Sequence, residues 1–120
     1  MTLDNLPENL KEYIDVVGGL GRIMGNTKVY LRLLGIFADS VEFDNFKESL
    51  EAGDLEKASE IAHAIKGMTG NLSLTKLFDI SSTLNVELKE GIKNDELIAQ
   101  LFDAKDKTLE YINVLKNMLA

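Results

Sequence analysis

Apolar residues along this chain recur every three or four positions, the spacing that gathers them on one face of an α-helix, and nowhere alternate long enough for a strand. The pattern predicts a short N-terminal helical segment followed by four long helices. In the first segment Pro7 suits an opening turn, and Leu10, Tyr13, Ile14 and Val17 share a face. Gly18, Gly19 and Gly21 interrupt that helix, and Gly25-Asn26 reads as a further break. Thr27 can cap the next helix, whose stripe of Tyr30, Leu33, Leu34, Phe37 and Val41 continues to Phe46 and Leu50 before Gly53 stops it. Asp54 is placed to cap a third helix carrying Leu55, Ala58, Ile61, Ala62, Ile65, Met68 and Leu72. A tight turn around Ser73 to Thr75 leads to a fourth, with Leu77, Ile80, Leu84 and Leu88, which Gly91 closes. Asn94 or Asp95 opens the last, with Leu97, Ile98, Leu101, Leu109, Ile112, Leu115 and Leu119 in one stripe. Short connections between long amphipathic helices make neighbours antiparallel. The expected fold is all-α: an antiparallel up-and-down four-helix bundle over 27–120 with a helical segment over 1–26, forming a single domain of 1–120 without internal repeat or linker.

Composition narrows the chemistry. With 120 residues, 45% hydrophobic and 28% charged, the chain suits one buried core and excludes a disordered tail or a fibre. There is no apolar run of about 18 residues to span a bilayer, and Met1-Thr2-Leu3-Asp4-Asn5 has neither the basic flank nor the apolar stretch of a secretory signal. Met1 suits a free-standing protein, and the missing signal suits a cytoplasmic location. The absence of cysteine rules out disulfides, thiolate metal sites and cysteine nucleophiles. A net charge of −7 argues against nucleic acid, whose phosphates require clustered Lys and Arg. Met24, Met68 and Met118 read as core filler, and carboxylates such as Glu42, Asp44, Glu87 and Glu90 as solvated surface.

The single histidine therefore carries most of the weight. On the wheel of the third helix, His63 falls roughly 160° from the centre of the apolar stripe, so it points to water. Gly67 and Gly70 lie four and seven residues on, along the same face. Each glycine inside a helix costs about 0.5–1 kcal/mol relative to alanine. Either they relax the helix or admit another helix closely, or they clear side chains from around the imidazole so that a partner can reach it. Lys66 puts a positive charge within reach of an anion formed on the ring.

The stretch Ala62-His63-Ala64-Ile65-Lys66-Gly67-Met68-Thr69-Gly70-Asn71-Leu72 resembles the signature of histidine-containing phosphotransfer (HPt) domains. The similarity extends upstream through Tyr30-Leu31-Arg32-Leu33-Leu34-Gly35-Ile36-Phe37 and Leu50-Glu51-Ala52-Gly53-Asp54, and downstream through Leu77 and the stretch from Leu84 to Leu88, covering about residues 14 to 90. It implies a four-helix bundle with His63 as phosphoacceptor, Lys66 as adjacent cation, and Gly67 and Gly70 keeping the ring accessible. The partners it implies are response-regulator receiver domains or a hybrid sensor histidine kinase. Such a chain is a carrier rather than an enzyme: it has no cofactor or metal of its own, and Mg²⁺ and a lysine belong to the receiver. Two positions depart from the family: Met68 stands where a small residue is frequent, and Ser73 where a glycine is common.

A neutral imidazole nitrogen is nucleophilic at cytoplasmic pH, and a neighbour holding the other nitrogen would fix the tautomer. Glu56 and Ser59 lie on the right side of the helix for that, as could a residue of the preceding helix. The main alternative is a helical adaptor that uses the same face without carrying phosphate. A di-iron bundle is disfavoured because the Glu60-to-His63 spacing occurs once and faces out. A kinase dimerisation helix is disfavoured by Ala64 after the histidine and by the lack of a nearby proline. One chain holds enough helices to enclose its own core, so a monomer is expected.

Overall fold

The computed structural model describes residues 5–120; the start of the N-terminal segment, residues 1–4, lies outside the described residues. The described residues form helices only: α1 (Leu10–Tyr13), α2 (Val16–Gly21), α3 (Thr27–Ala38), α4 (Glu42–Glu51), α5 (Leu55–Asn71), α6 (Thr75–Lys89) and α7 (Asp95–Leu119). They pack into a rod of 47 × 23 × 19 Å. α4 lies on α5, α5 on α6 and α6 on α7, each antiparallel to the one before, while α1 to α3 pack along one end of the assembly.

Local chemistry sets most boundaries. Asp54 and Asn94 cap α5 and α7 by accepting from the backbone N–H groups of Lys57 (3.1 Å) and Leu97 (3.0 Å). Gly53 and Gly91, with φ of +72° and +82°, reverse the chain after α4 and α6. The core joins Leu34, Phe37, Phe46, Ala62, Ile65, Leu77, Leu84, Leu101 and Ile112, all buried. Around Phe37, Phe43, Phe46 and Phe102 it becomes an aromatic cluster with centroid separations of 5.9–6.4 Å.

The first bundle helix is not continuous, contrary to the pattern over 27–53. It breaks between Ala38 and Glu42 into α3 and α4. The Ser40 hydroxyl accepts from the Glu42 N–H at 3.2 Å, a donor that a continuous helix would direct at Ala38. Val41 is consequently exposed rather than buried. The cap of α3 is Asn26, which accepts from Val29 N–H at 3.1 Å, and Thr27 is already helical.

The N-terminal segment also differs from its pattern. Pro7 precedes α1 and its carbonyl accepts from Leu10 N–H, and the break falls at Ile14 and Asp15 instead of at the glycines. Asp15 caps α2 by accepting from Gly18 N–H at 3.0 Å, so Gly18, Gly19 and Gly21 lie inside a helix. Gly19 is bare for a packing reason: a Cβ there would collide with the Tyr30 ring and hydroxyl. Val17 is exposed, off the face shared by Leu10 and Ile14. Met24 is 97% exposed with φ +58°, a surface turn residue rather than core filler, whereas Met68 and Met118 do pack on the core.

Candidate functional site

α5 buries Ala58, Ile61, Ala62, Ile65 and Thr69 against the bundle and turns His63, Ala64 and Gly67 to solvent. Lys66 and Gly70 sit half-buried at the edge of that exposed face. His63 stands between two surface depressions. One, of about 490 Å³, is lined by Lys66, Gly67 and Gly70 of α5, Phe78 of α6, and Asp15 and Arg22 from the N-terminal segment. The other, on the side toward the start of α5, is lined by Glu56, Ser59, Glu60, Asn85 and Lys89. Two cations, Lys66 and Arg22, face one carboxylate, Asp15, in the first depression, and two carboxylates, Glu56 and Glu60, face one cation, Lys89, in the second.

The glycines that share the face with His63 do different things. A Cβ at Gly67 would meet nothing within 4 Å, so the surface beside the imidazole is open there. At Gly70 a Cβ would stand 3.0 Å from Phe78, so this glycine admits α6 closely. The Lys66 ammonium in turn lies 5.9 Å from the centroid of the Phe78 ring, a cation–π contact that holds it at the rim. None of the ion pairs among the described residues uses Lys66 or Arg22.

Ser59 does not hold the imidazole. Its hydroxyl donates to the Asn85 carbonyl at 2.9 Å, and the Asn85 amide donates back to the Ser59 carbonyl at 2.9 Å, clamping α5 to α6. Glu56 is exposed and lines the same depression as His63 without a hydrogen bond to it. Among the described residues no group of three or more His, Cys, Asp or Glu comes together to hold a metal ion.

Asp15 and Arg22 are site residues that helical periodicity does not reveal. Their segment is tied to the turn after α5: Asp15 N–H donates to the Ser73 carbonyl at 2.9 Å, and Tyr30 of α3, against which Gly19 packs, donates its hydroxyl to the Leu72 carbonyl at 2.7 Å. That turn is a Schellman closure, with Leu74 N–H to Thr69 carbonyl (2.9 Å) and Ser73 N–H to Gly70 carbonyl (3.3 Å). Ser73 takes φ +57°, the left-handed conformation that suits glycine. Beyond Arg22 a larger apolar groove continues between α3 and α5, lined by Ile23, Leu33, Ile36, Val41, Met68 and Leu72.

An antiparallel helical bundle with a lone histidine on the open face of its central hairpin is the architecture of a phosphotransfer domain. A family model described as Hpt domain matches residues 32–120, and the chain belongs to that family. Searches of curated proteins and of solved structures found no match. Hpt domains act in phosphotransfer within two-component signalling, as phosphocarriers that work with receiver domains and kinases. No described helix is long and apolar enough to cross a membrane.

Proposed function

We propose that His63 accepts a phosphoryl group from, and returns it to, an aspartate of a response-regulator receiver domain. The exposure of this one imidazole beside a bare Gly67, with Lys66 at the rim, is the observation that carries the reading. The ring's unprotonated nitrogen supplies a lone pair that forms the N–P bond. The P–O bond of the aspartyl phosphate breaks, its electron pair returns to the carboxylate, and the ring later releases its N–H proton to solvent. Lys66 offsets part of the roughly two negative charges that arrive. Positioning and most charge neutralisation fall to the receiver's Mg²⁺ and lysine, so this chain needs no cofactor of its own. The apolar groove with exposed Ile36 and Val41 supports docking of a partner along α3 and α5. A monomer working in the cytoplasm, with receivers or a hybrid sensor kinase as partners, completes the reading.

The test is transfer from a labelled phospho-receiver to wild type, His63→Gln and Lys66→Ala, with acid and alkali treatment of the product. Acid-labile, alkali-stable label on wild type and Lys66→Ala but absent from His63→Gln is expected, with Lys66→Ala labelled more slowly. Label on none of them across a panel of receivers, with the fold intact, would leave the adaptor reading in its place.

A further inference from the structure

The depression beside His63 is walled on one side by two residues outside the segment that matches the Hpt family, Asp15 and Arg22. Their place is fixed by long-range bonds to the α5–α6 turn. Asp15 N–H reaches the Ser73 carbonyl, Tyr30 reaches the Leu72 carbonyl, and the Thr75 hydroxyl donates to the Glu12 carbonyl at 3.3 Å. With bare Gly19 set against Tyr30, α2 rests on this end of the bundle and delivers Arg22, its C-terminal cap residue, to the rim of the depression. The Asp15 carboxylate is engaged in capping Gly18 N–H, and no ion pair among the described residues takes up the Arg22 guanidinium.

We infer that Arg22 is a second phosphoryl-binding cation, closing on the group carried by His63 from the wall of the depression that it shares with Lys66; this rests on the relay reading of His63. The chemistry favours it. A phosphoryl dianion must be held on a chain whose net charge is already −7. Lys66 is a point charge resting on Phe78, whereas a guanidinium presents a planar fork that pairs with two phosphoryl oxygens at once. Being part of this chain, Arg22 acts whichever donor delivers the group.

Loading by a small phosphoramidate, with no partner protein, isolates that role. The His63 nitrogen forms the N–P bond, the donor's P–N bond breaks, ammonia leaves with the protons already on it, and the ring releases its N–H proton to solvent. Wild type, Arg22→Ala, Arg22→Lys and the surface control Lys28→Ala are loaded side by side and followed by ³¹P NMR across pH. Arg22→Ala is expected to load about threefold to tenfold more slowly, with the phosphoryl group titrating at higher pH because its dianion has lost a cation. Arg22→Lys recovers part of both effects, and Lys28→Ala matches wild type. An Arg22→Ala protein that loads and titrates as wild type overturns the inference and leaves the relay intact; an effect confined to transfer from a receiver also overturns it, making Arg22 a docking contact. Folded wild type that forms no phosphohistidine from phosphoramidate or from any receiver overturns both.

Discussion

A Cβ at Gly70 would stand 3.0 Å from Cε1 and 3.1 Å from Cδ1 of Phe78, so the aromatic ring fills the space that a side chain on α5 would need. The same ring carries the Lys66 ammonium. Gly70 thus bears on the site through packing: it lets α6 come close enough to support the lysine three residues from the histidine. Gly67, with nothing around it, has no such structural duty.

The two glycines should therefore separate on mutation. Gly67→Ala replaces a poor helix former in open space and should stabilise the fold by about 0.5–1 kcal/mol, raising Tm by roughly 2–6 °C, while slowing phosphoryl transfer because a methyl now stands beside the imidazole. Gly70→Ala should bring no such gain, since the propensity benefit is offset by displacement of Phe78. Thermal melts and receiver-transfer rates of both variants check this. A Gly67→Ala protein that is no more stable than wild type, or that transfers as fast, contradicts the assignment.

How far the sequence discloses this arrangement depends on the range of the interaction. Asp54 and Asn94 as caps, and Gly53 and Gly91 as stops, are legible because each acts on backbone groups within a few residues. The outward aim of His63 is legible because α5 keeps a regular stripe over its whole length. The α3–α4 break is hidden because Val41 continues the apolar stripe while the deciding bond is a single one from Glu42 N–H to Ser40. Arg22 and Asp15 are hidden for a different reason. Long-range contacts bring them to the histidine, from Asp15 to the Ser73 carbonyl, from Tyr30 of α3 to the Leu72 carbonyl and from Thr75 to the Glu12 carbonyl, and no local pattern encodes those. Gly70 is visible as an anomaly, but Phe78, the residue that explains it, lies on the next helix outside the stripe of Leu77, Ile80, Leu84 and Leu88.

Ser73 holds φ +57° at the position that closes α5, a conformation costing a non-glycine residue about 1–2 kcal/mol. Ser73→Gly should relieve that strain, with some loss to the greater freedom of glycine in the unfolded chain, for a net gain of about 0.5–1 kcal/mol. The Schellman bonds and the carbonyl that receives Asp15 N–H are backbone groups and stay in place, so transfer should be unchanged. A denaturation midpoint equal to or below that of wild type would argue that the Ser73 side chain contributes more than its backbone costs.

Thr108 is fully buried in α7 and its hydroxyl is without a hydrogen-bond partner. An unpaired buried polar group costs about 1–3 kcal/mol, and valine has nearly the same shape without the hydroxyl. Thr108→Val should raise the urea midpoint by an amount equivalent to about 1 kcal/mol with the m-value unchanged. A lower midpoint would mean that the hydroxyl is hydrogen-bonded in solution.

Tyr30 couples the N-terminal segment to the end of α5, and its titration gives that coupling a signature in pH. Burial, with the Asp15 carboxylate adding to it, raises the Tyr30 hydroxyl well above its ordinary value of 10.0. The folded protein therefore keeps this proton at pH values where the unfolded chain has lost it. Between the two pKa values the native state binds more protons, so stability falls as pH rises; the contribution is complete below the unfolded value of about 10 and is lost on the way up to the folded one. Tyr30→Phe removes both the titration and the 2.7 Å bond to the Leu72 carbonyl. At neutral pH the variant should be about 1–3 kcal/mol less stable, because a buried carbonyl loses its donor. Above about pH 10 the gap to wild type should narrow, since only wild type carries this tyrosine's penalty. Denaturant melts at pH 7 and at two values above 10 measure the gap directly. A constant difference across that range would show that Tyr30 ionises no less readily in the folded protein than in the unfolded chain, and would remove the buried, donating hydroxyl from the account of how α2 is held against the histidine-bearing helix.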